Sequence, residues 1–224
     1  MRRLILHGAA LTLVALAAAG CHRAPAGNDA SVTGTETVVI LRHGEKAVGG
    51  LGQLDCQGLN RALALPEVLI GRFGRPAAIF APNPAVQMRD GLLAWRHFSY
   101  VRPLATITPT AIRLGMPVNT QIGFNNLDAL RQAVTAPPYA NGTVFVAWEH
   151  SKARVFAKQL LRAYGSDAAV PHWARDDFDS LYVLRLTRRT GQPPSIAFTL
   201  QQEGLNLRLS HDCPASAAAA PARP

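Results

Sequence analysis

The chain has 224 residues, 48% of them apolar and 17% charged, with 23 Lys plus Arg against 14 Asp plus Glu for a formal charge of +9. That is enough chain for one globular domain with its own core, and the positive balance favours anionic partners: phosphate groups, acidic lipids or nucleic acid. The three cysteines contain no C-x-x-C pair, which excludes a zinc ribbon or a thioredoxin-like redox site. The seven histidines contain no H-x-x-x-H pair, and H-E-x-x-H and G-x-S-x-G are both missing. Basic residues are scattered rather than interleaved with aromatics, which argues against a nucleic-acid groove.

At the N-terminus, Arg2 and Arg3 precede an apolar run over residues 4–19 that is short for a membrane span and right for a signal-peptide core. The run ends in Ala18-Ala19-Gly20-Cys21, which resembles a bacterial lipoprotein box and makes Cys21 the expected acylated residue. The other reading is an ordinary secretory signal cut near Ala19. Removing residues 1–20 takes away two arginines and no acid, so the mature chain keeps +7. Residues 21–35 read as a flexible tether, 36–213 as the folded domain and 214–224 as a low-complexity disordered tail. The expected location is the bacterial envelope, lipid-anchored on the periplasmic or extracytoplasmic face.

Within the domain, residues 37–41 form a continuous β-branched run and predict a buried strand. Residues 57–70 predict a helix bent or stopped early at Pro66. Short buried strands are expected at 77–81 and 143–148, helices at 127–134 and 152–164, and further strands at 181–186 and 196–200. Strands alternating with helices imply an α/β layer fold with a mostly parallel sheet, whose ligands bind outside the carboxyl ends of the strands.

Two of those ends carry histidine. The first strand runs into Arg42-His43-Gly44-Glu45-Lys46, and the 143–148 strand into Glu149-His150-Ser151. An arginine offers a planar fork to phosphate oxygens, a histidine an imidazole able to attack, and a glycine a turn without Cβ obstruction. Taken alone, Arg42-His43-Gly44 also fits a strand end with a solvated arginine, and His150 a satisfied structural residue. Both in one sheet point to a shared site.

The chain here resembles the histidine phosphatase superfamily, of phosphoglycerate mutase-like fold. That family carries R-H-G after its first strand, then a helix near L-T-x-x-G-x-x-Q-A; here Leu54, Gly58 and Ala62 match. A second arginine opens a segment like R-A-x-x-T-A-x-P-x-A-x-x-L-G, matched by Arg102, Thr106, Pro109, Ala111, Leu114 and Gly115, and the second histidine matches His150. The resemblance spans roughly residues 38–186. Arg102 lies about twenty residues beyond the second strand, so 85–100 reads as an insertion over the site; Arg89 is nearer, but nothing after it fits the helix pattern.

The resemblance implies a three-layer α/β/α sandwich with a mostly parallel central sheet. It implies a phosphomonoester hydrolase in which His43 is phosphorylated while Arg42, Arg102 and His150 hold the phosphate oxygens. No metal and no cofactor is required. The substrate would be a phosphorylated small molecule or phosphoprotein, with the membrane engaged through the lipid anchor and no nucleic acid. Lys46 is an outer phosphate contact or a solvated lysine. The acids usual in the family are missing, since Ser151 stands where one branch has aspartate. Glu149 is the expected proton donor, with Glu45, Asp55 and Asp179 as alternatives. The competing reading is a non-catalytic lipoprotein that binds a phosphorylated ligand in the same pocket. Finally, with Cys21 acylated, Cys56 and Cys213 are left in an oxidising compartment and are expected to pair.

Overall fold

The computed structural model describes residues 33–89, 95–206 and 208–215. The expected leader, Cys21, all but the last three residues of the tether and the tail from residue 216 lie outside them. Among the described residues no helix is long and apolar enough to cross a membrane.

The β-branched run forms β1 (Gly34–Arg42), the central strand of a five-stranded sheet. The strands are β2 (Ala78–Phe80), β5 (Thr143–Trp148), β6 (Ser180–Arg188) and β7 (Ser195–Gln202), in the order β2-β5-β1-β6-β7. β2, β5 and β1 pair in parallel, whereas β6 is antiparallel to both β1 and β7. Four of the five strands therefore point one way.

β1 is apolar without alternation because both faces of the sheet are covered. Val38 and Ile40 pack on one side with Leu130 of α3 (Leu127–Val134) and with Phe156 and Leu160 of α4 (His150–Ala163). Val39 and Leu41 pack on the other with Leu65 and Leu69 of α1 (Cys56–Phe73) and Ile107 and Ala111 of α2 (Arg102–Leu114). The result is the three-layer α/β/α sandwich.

One local expectation changes. The first helix does not stop early at Pro66: α1 continues to Phe73, held by buried Leu65 and Leu69 against the sheet. Packing there outweighs the one backbone hydrogen bond that a proline removes. The stretch read as an insertion contains a hairpin, β3 (Gln87–Arg89) with β4 (His97–Ser99), pairing Met88 with Phe98. Cys56, in the first turn of α1, is disulfide-bonded to Cys213, with Cα atoms 4.4 Å apart and a sequence separation of 157. Asn60 Nδ2 donates to the carbonyls of Ser210 and Asp212, so the C-terminal segment lies along α1.

Candidate active site

Parallel pairing of β1 with β5 sets Arg42 beside Trp148, so both chains leave the sheet together. The His43 amide donates to the Trp148 carbonyl at 3.2 Å, placing His43 next to the Glu149-His150 turn. A cavity of about 280 Å³ opens there, lined by Arg42, His43, Lys46, Met88, Arg102, Phe124, Glu149, His150 and Ser151. It lies outside the carboxyl ends of β1 and β5, where ligands bind in open α/β sheets.

His43 is 2% exposed, and its Nδ1 lies 2.7 Å from the Gly44 carbonyl. A carbonyl only accepts, so Nδ1 carries the proton and Nε2 keeps its lone pair. Burial, then the charge of Arg102, and also that of Arg42, hold the imidazole pKa well below its usual value despite the Gly44 contact. The ring is neutral at pH 7. Gly44 has no room for a side chain, because a Cβ would stand 2.9 Å from both Cα and O of Gly58; one on Gly58 would stand 2.3 Å from the Glu45 carbonyl. The first turn of α1 and the histidine loop thus touch backbone to backbone, which explains the glycine at position 58. The Gly44 amide also donates to Thr106 Oγ1, whose hydroxyl donates to the Arg102 carbonyl one turn earlier on α2.

Arg42 is 2% exposed. Its Nη1 donates to the carbonyls of Ala174, Arg175 and Asp177, and its guanidinium stacks 3.9 Å from the centre of the Phe178 ring. Burial lowers its pKa to about 10, which still leaves it charged. Nε is buried with no hydrogen-bond partner among the described residues, and an oxyanion in the cavity would satisfy such a donor. Arg102 opens α2; the carbonyl of Gly52 accepts its backbone amide, and that of Gly50 accepts its Nη1. The loop supplying those carbonyls has positive φ at Gly49, Gly50, Leu51 and Gly52. Leucine is rarely found there, and such strain gathers at ligand clamps.

β5 ends at Trp148, so Glu149 and His150 already belong to the turn into α4. Glu149 caps that helix: Oε2 accepts from the Lys152 amide and the Ser151 hydroxyl, while Oε1 lies 2.6 Å from His150 Nδ1. Burial alone would raise its pKa, but His150, Ser151 and the Lys152 amide together bring it far below the usual carboxylate range. The expected proton donor is therefore an ionised carboxylate in the resting site, held by donors that stabilise its charged form.

The alternative acids are committed elsewhere. Glu45 is gripped by Arg61 through Nε at 3.0 Å and Nη2 at 2.7 Å. Asp55 caps α1, accepting from the Gly58 amide. Asp179 accepts from the amides of Gly204, Leu205 and Asn206 and pairs with Arg61. None of the three lines the cavity. Arg89 stands exposed on the hairpin, with Nε 3.4 Å from His97 Nε2, and also lies off the lining. Met88 and Phe124, which do line it, carry no sequence signal that singles them out.

No protein-family profile and no curated protein matches the chain. Solved structures match its fold. A protein assigned as the phosphohistidine phosphatase SixA from Nakamurella multipartitia superposes with a TM-score of 0.51 at 16% identity, over 75% of this chain and 96% of that one. The protein histidine phosphatase SixA complexed with tungstate gives 0.47 at 13% identity, covering 75% and 97%. A mycobacterial glucosyl-3-phosphoglycerate phosphatase with inorganic phosphate gives 0.45 at 15%, covering 73% and 95%. The architecture is the phosphoglycerate mutase-like α/β fold.

Proposed function

We propose that the chain is a phosphomonoester hydrolase of the histidine phosphatase superfamily that works through a phosphohistidine on His43. The observation that carries this is a buried, neutral imidazole beside two buried arginines, its Nδ1–H taken by the Gly44 carbonyl. Nε2 attacks phosphorus in line as the ester P–O bond breaks, and the leaving oxygen takes up a proton from solvent water, which the attacking water of the second step returns. Water then attacks the phosphohistidine, the N–P bond breaks and inorganic phosphate leaves. Two displacements replace one difficult step, with positioning and charge supplying most of the catalysis. Arg42, Arg102 and His150 hold the equatorial oxygens, helped by the N-terminus of α4.

A hydrolysis screen of the chain on sugar, nucleotide, lipid and protein phosphates tests this, together with acid-labile labelling of the enzyme by substrate. Tight phosphate binding without turnover would favour the non-catalytic reading, which the ionised state of Glu149, the one carboxyl lining the cavity among the described residues, supports.

Glu149 in this scheme orients His150 and completes the α4 cap. Glu149→Gln is expected to slow esters of good and poor leaving groups alike, by about 10- to 100-fold, as misplacement does. A general acid would instead cost about 10² to 10⁴ on the poor leaving group alone.

The envelope address rests on the leader and on Cys21, and the Cys56–Cys213 disulfide suits an oxidising compartment. Cys21→Ala is expected to move the protein from the membrane to the soluble fraction, because stable anchoring needs the acyl chains at that residue. Unchanged membrane association would refute lipidation there.

A further inference from the structure

The mouth of the cavity is framed by residues 46–54, strands β3 and β4 with residues 95 and 96, and the loops 83–86 and 117–126. Lys46, Met88 and Phe124 of these segments reach the cavity itself. The frame is closely built: a Cβ on Gly52 would stand 2.2 Å from the Ser99 carbonyl, and one on Gly123 would stand 3.4 Å from Val86. Yet it leaves large apolar side chains in water. Val48 is 92% exposed, Trp95 74%, Leu51 43% and Val86 40%. The other two tryptophans, Trp148 and Trp173, are buried.

The described residues of this frame carry Lys46, Arg89 and Arg96 and no aspartate or glutamate; Asp90, between β3 and β4, lies outside them. Arg96 lies 5.5 Å from the Trp95 ring and 5.8 Å from that of Phe98. An amphipathic indole beside arginine, with aliphatic side chains around it, is the composition that settles at the headgroup level of a bilayer, the rings in the interface and the cations on lipid phosphates. The cavity continues the same chemistry inward. Arg42 and Arg102 line it beside Met88 and Phe124, which form an apolar wall. An acyl or prenyl tail would run along that wall to the exposed apolar residues.

We propose that this mouth docks on an anionic lipid surface and that the monoester turned over there is carried on a lipid. The proposal rests on the phosphomonoesterase reading of the same cavity. Charge complementarity selects the occupant: the frame is cationic and apolar together, and a phospholipid surface is anionic outside and apolar within.

Trp95 reports docking directly, because the other tryptophans are shielded. The full chain is mixed with phosphatidylcholine vesicles containing phosphatidic acid and brominated acyl chains. Trp95 emission is expected to shift to the blue and to be quenched by the bromolipid, and Trp95→Phe to lose both signals. A lipid anchor alone would hold the protein on the vesicle without placing this ring in the bilayer. In parallel, Val48→Ser and Trp95→Ser are expected to lower turnover of vesicle phosphatidic acid about tenfold while leaving glycerol 3-phosphate turnover unchanged, since they remove only interfacial contacts. Trp95 remaining open to an aqueous quencher on vesicle-bound protein would overturn the proposal. So would variants that lose phosphoprotein turnover but keep that of the lipid, which would make the face a protein-docking one. Failure of the catalytic reading looks different: no ester is hydrolysed in any arm, whatever Trp95 reports.

Discussion

His43→Ala should hydrolyse no phosphomonoester and take up no acid-labile phosphate from substrate. Turnover should fall by at least about 10⁴-fold, the scale on which loss of a nucleophile acts in covalent catalysis. His43→Asn is the companion variant, since its amide can still donate to the Gly44 carbonyl that the imidazole now engages. It should keep the fold and bind inorganic phosphate while remaining inactive. The imidazole also sets the pH profile. Its pKa is well below 6.5, chiefly because it is buried and secondarily because Arg102 repels an added proton. His43 is thus already unprotonated in mildly acidic solution, and an acid limb in kcat/KM should follow the second ionisation of the substrate's phosphate, near 6 for an ordinary monoester. Esters of differing second pKa should move that limb with them. A limb fixed near 6.5 for every substrate would mean that the nucleophile is an ordinary exposed histidine. Wild-type turnover in His43→Ala would remove the mechanism altogether.

The parts of this site written as local pattern are legible in the amino-acid sequence. The β-branched run of β1, the paired strand ends and the helix patterns depend on neighbours along the chain, and they place His43, Arg42 and His150 at one edge of the sheet. Thr106 is legible as a motif position, and the fold gives the reason: it bridges the histidine loop to Arg102. Contacts closed by distant segments are not legible. The carbonyls that hold Arg42 come from residues 174–177, more than 130 positions away. Glu45 reads as available for chemistry because Arg61, its partner, is separated from it by a loop and a helix turn. Pro66 shows the same limit on the fold. Its local rule predicts a break, and burial of α1 against the sheet overrides it. Glu149 is an intermediate case: the residue stands out in the sequence, but its ionisation depends on capping bonds that exist only once α4 starts at His150.

Arg61→Met should be the most destabilising single substitution in the domain. The guanidinium is fully buried and pairs with Glu45, Glu203 and Asp179, with Asn206 taking a further N–H. Methionine fills much of the volume but leaves three carboxyl groups facing one another without a cation. Removing one partner of a buried ion pair costs about 3–5 kcal/mol. For a domain of this size that lowers Tm by roughly 10 °C or more. The cost should grow with pH. Glu203 is pushed up to about 8 by burial, against the pull of Arg61. The folded state therefore keeps a proton that the unfolded chain releases near its ordinary carboxyl pKa of about 4.3. Its stabilising effect is fully present below that value and is lost as pH rises through 8. Glu36, raised to about 7 by burial beside Arg188, acts in the same direction. Without Arg61 the carboxylates become still harder to ionise, so denaturant titrations should show a wider gap between Arg61→Met and wild type at pH 8 than at pH 5. Glu203→Gln in the wild-type background should flatten the decline in stability between those two values. A gap of the same size at both pH values would mean that the cluster is held by packing and not by charge. Because Glu45 lies two residues after His43, and its loop packs on Gly58, Arg61→Met should also lose activity at temperatures where it remains folded.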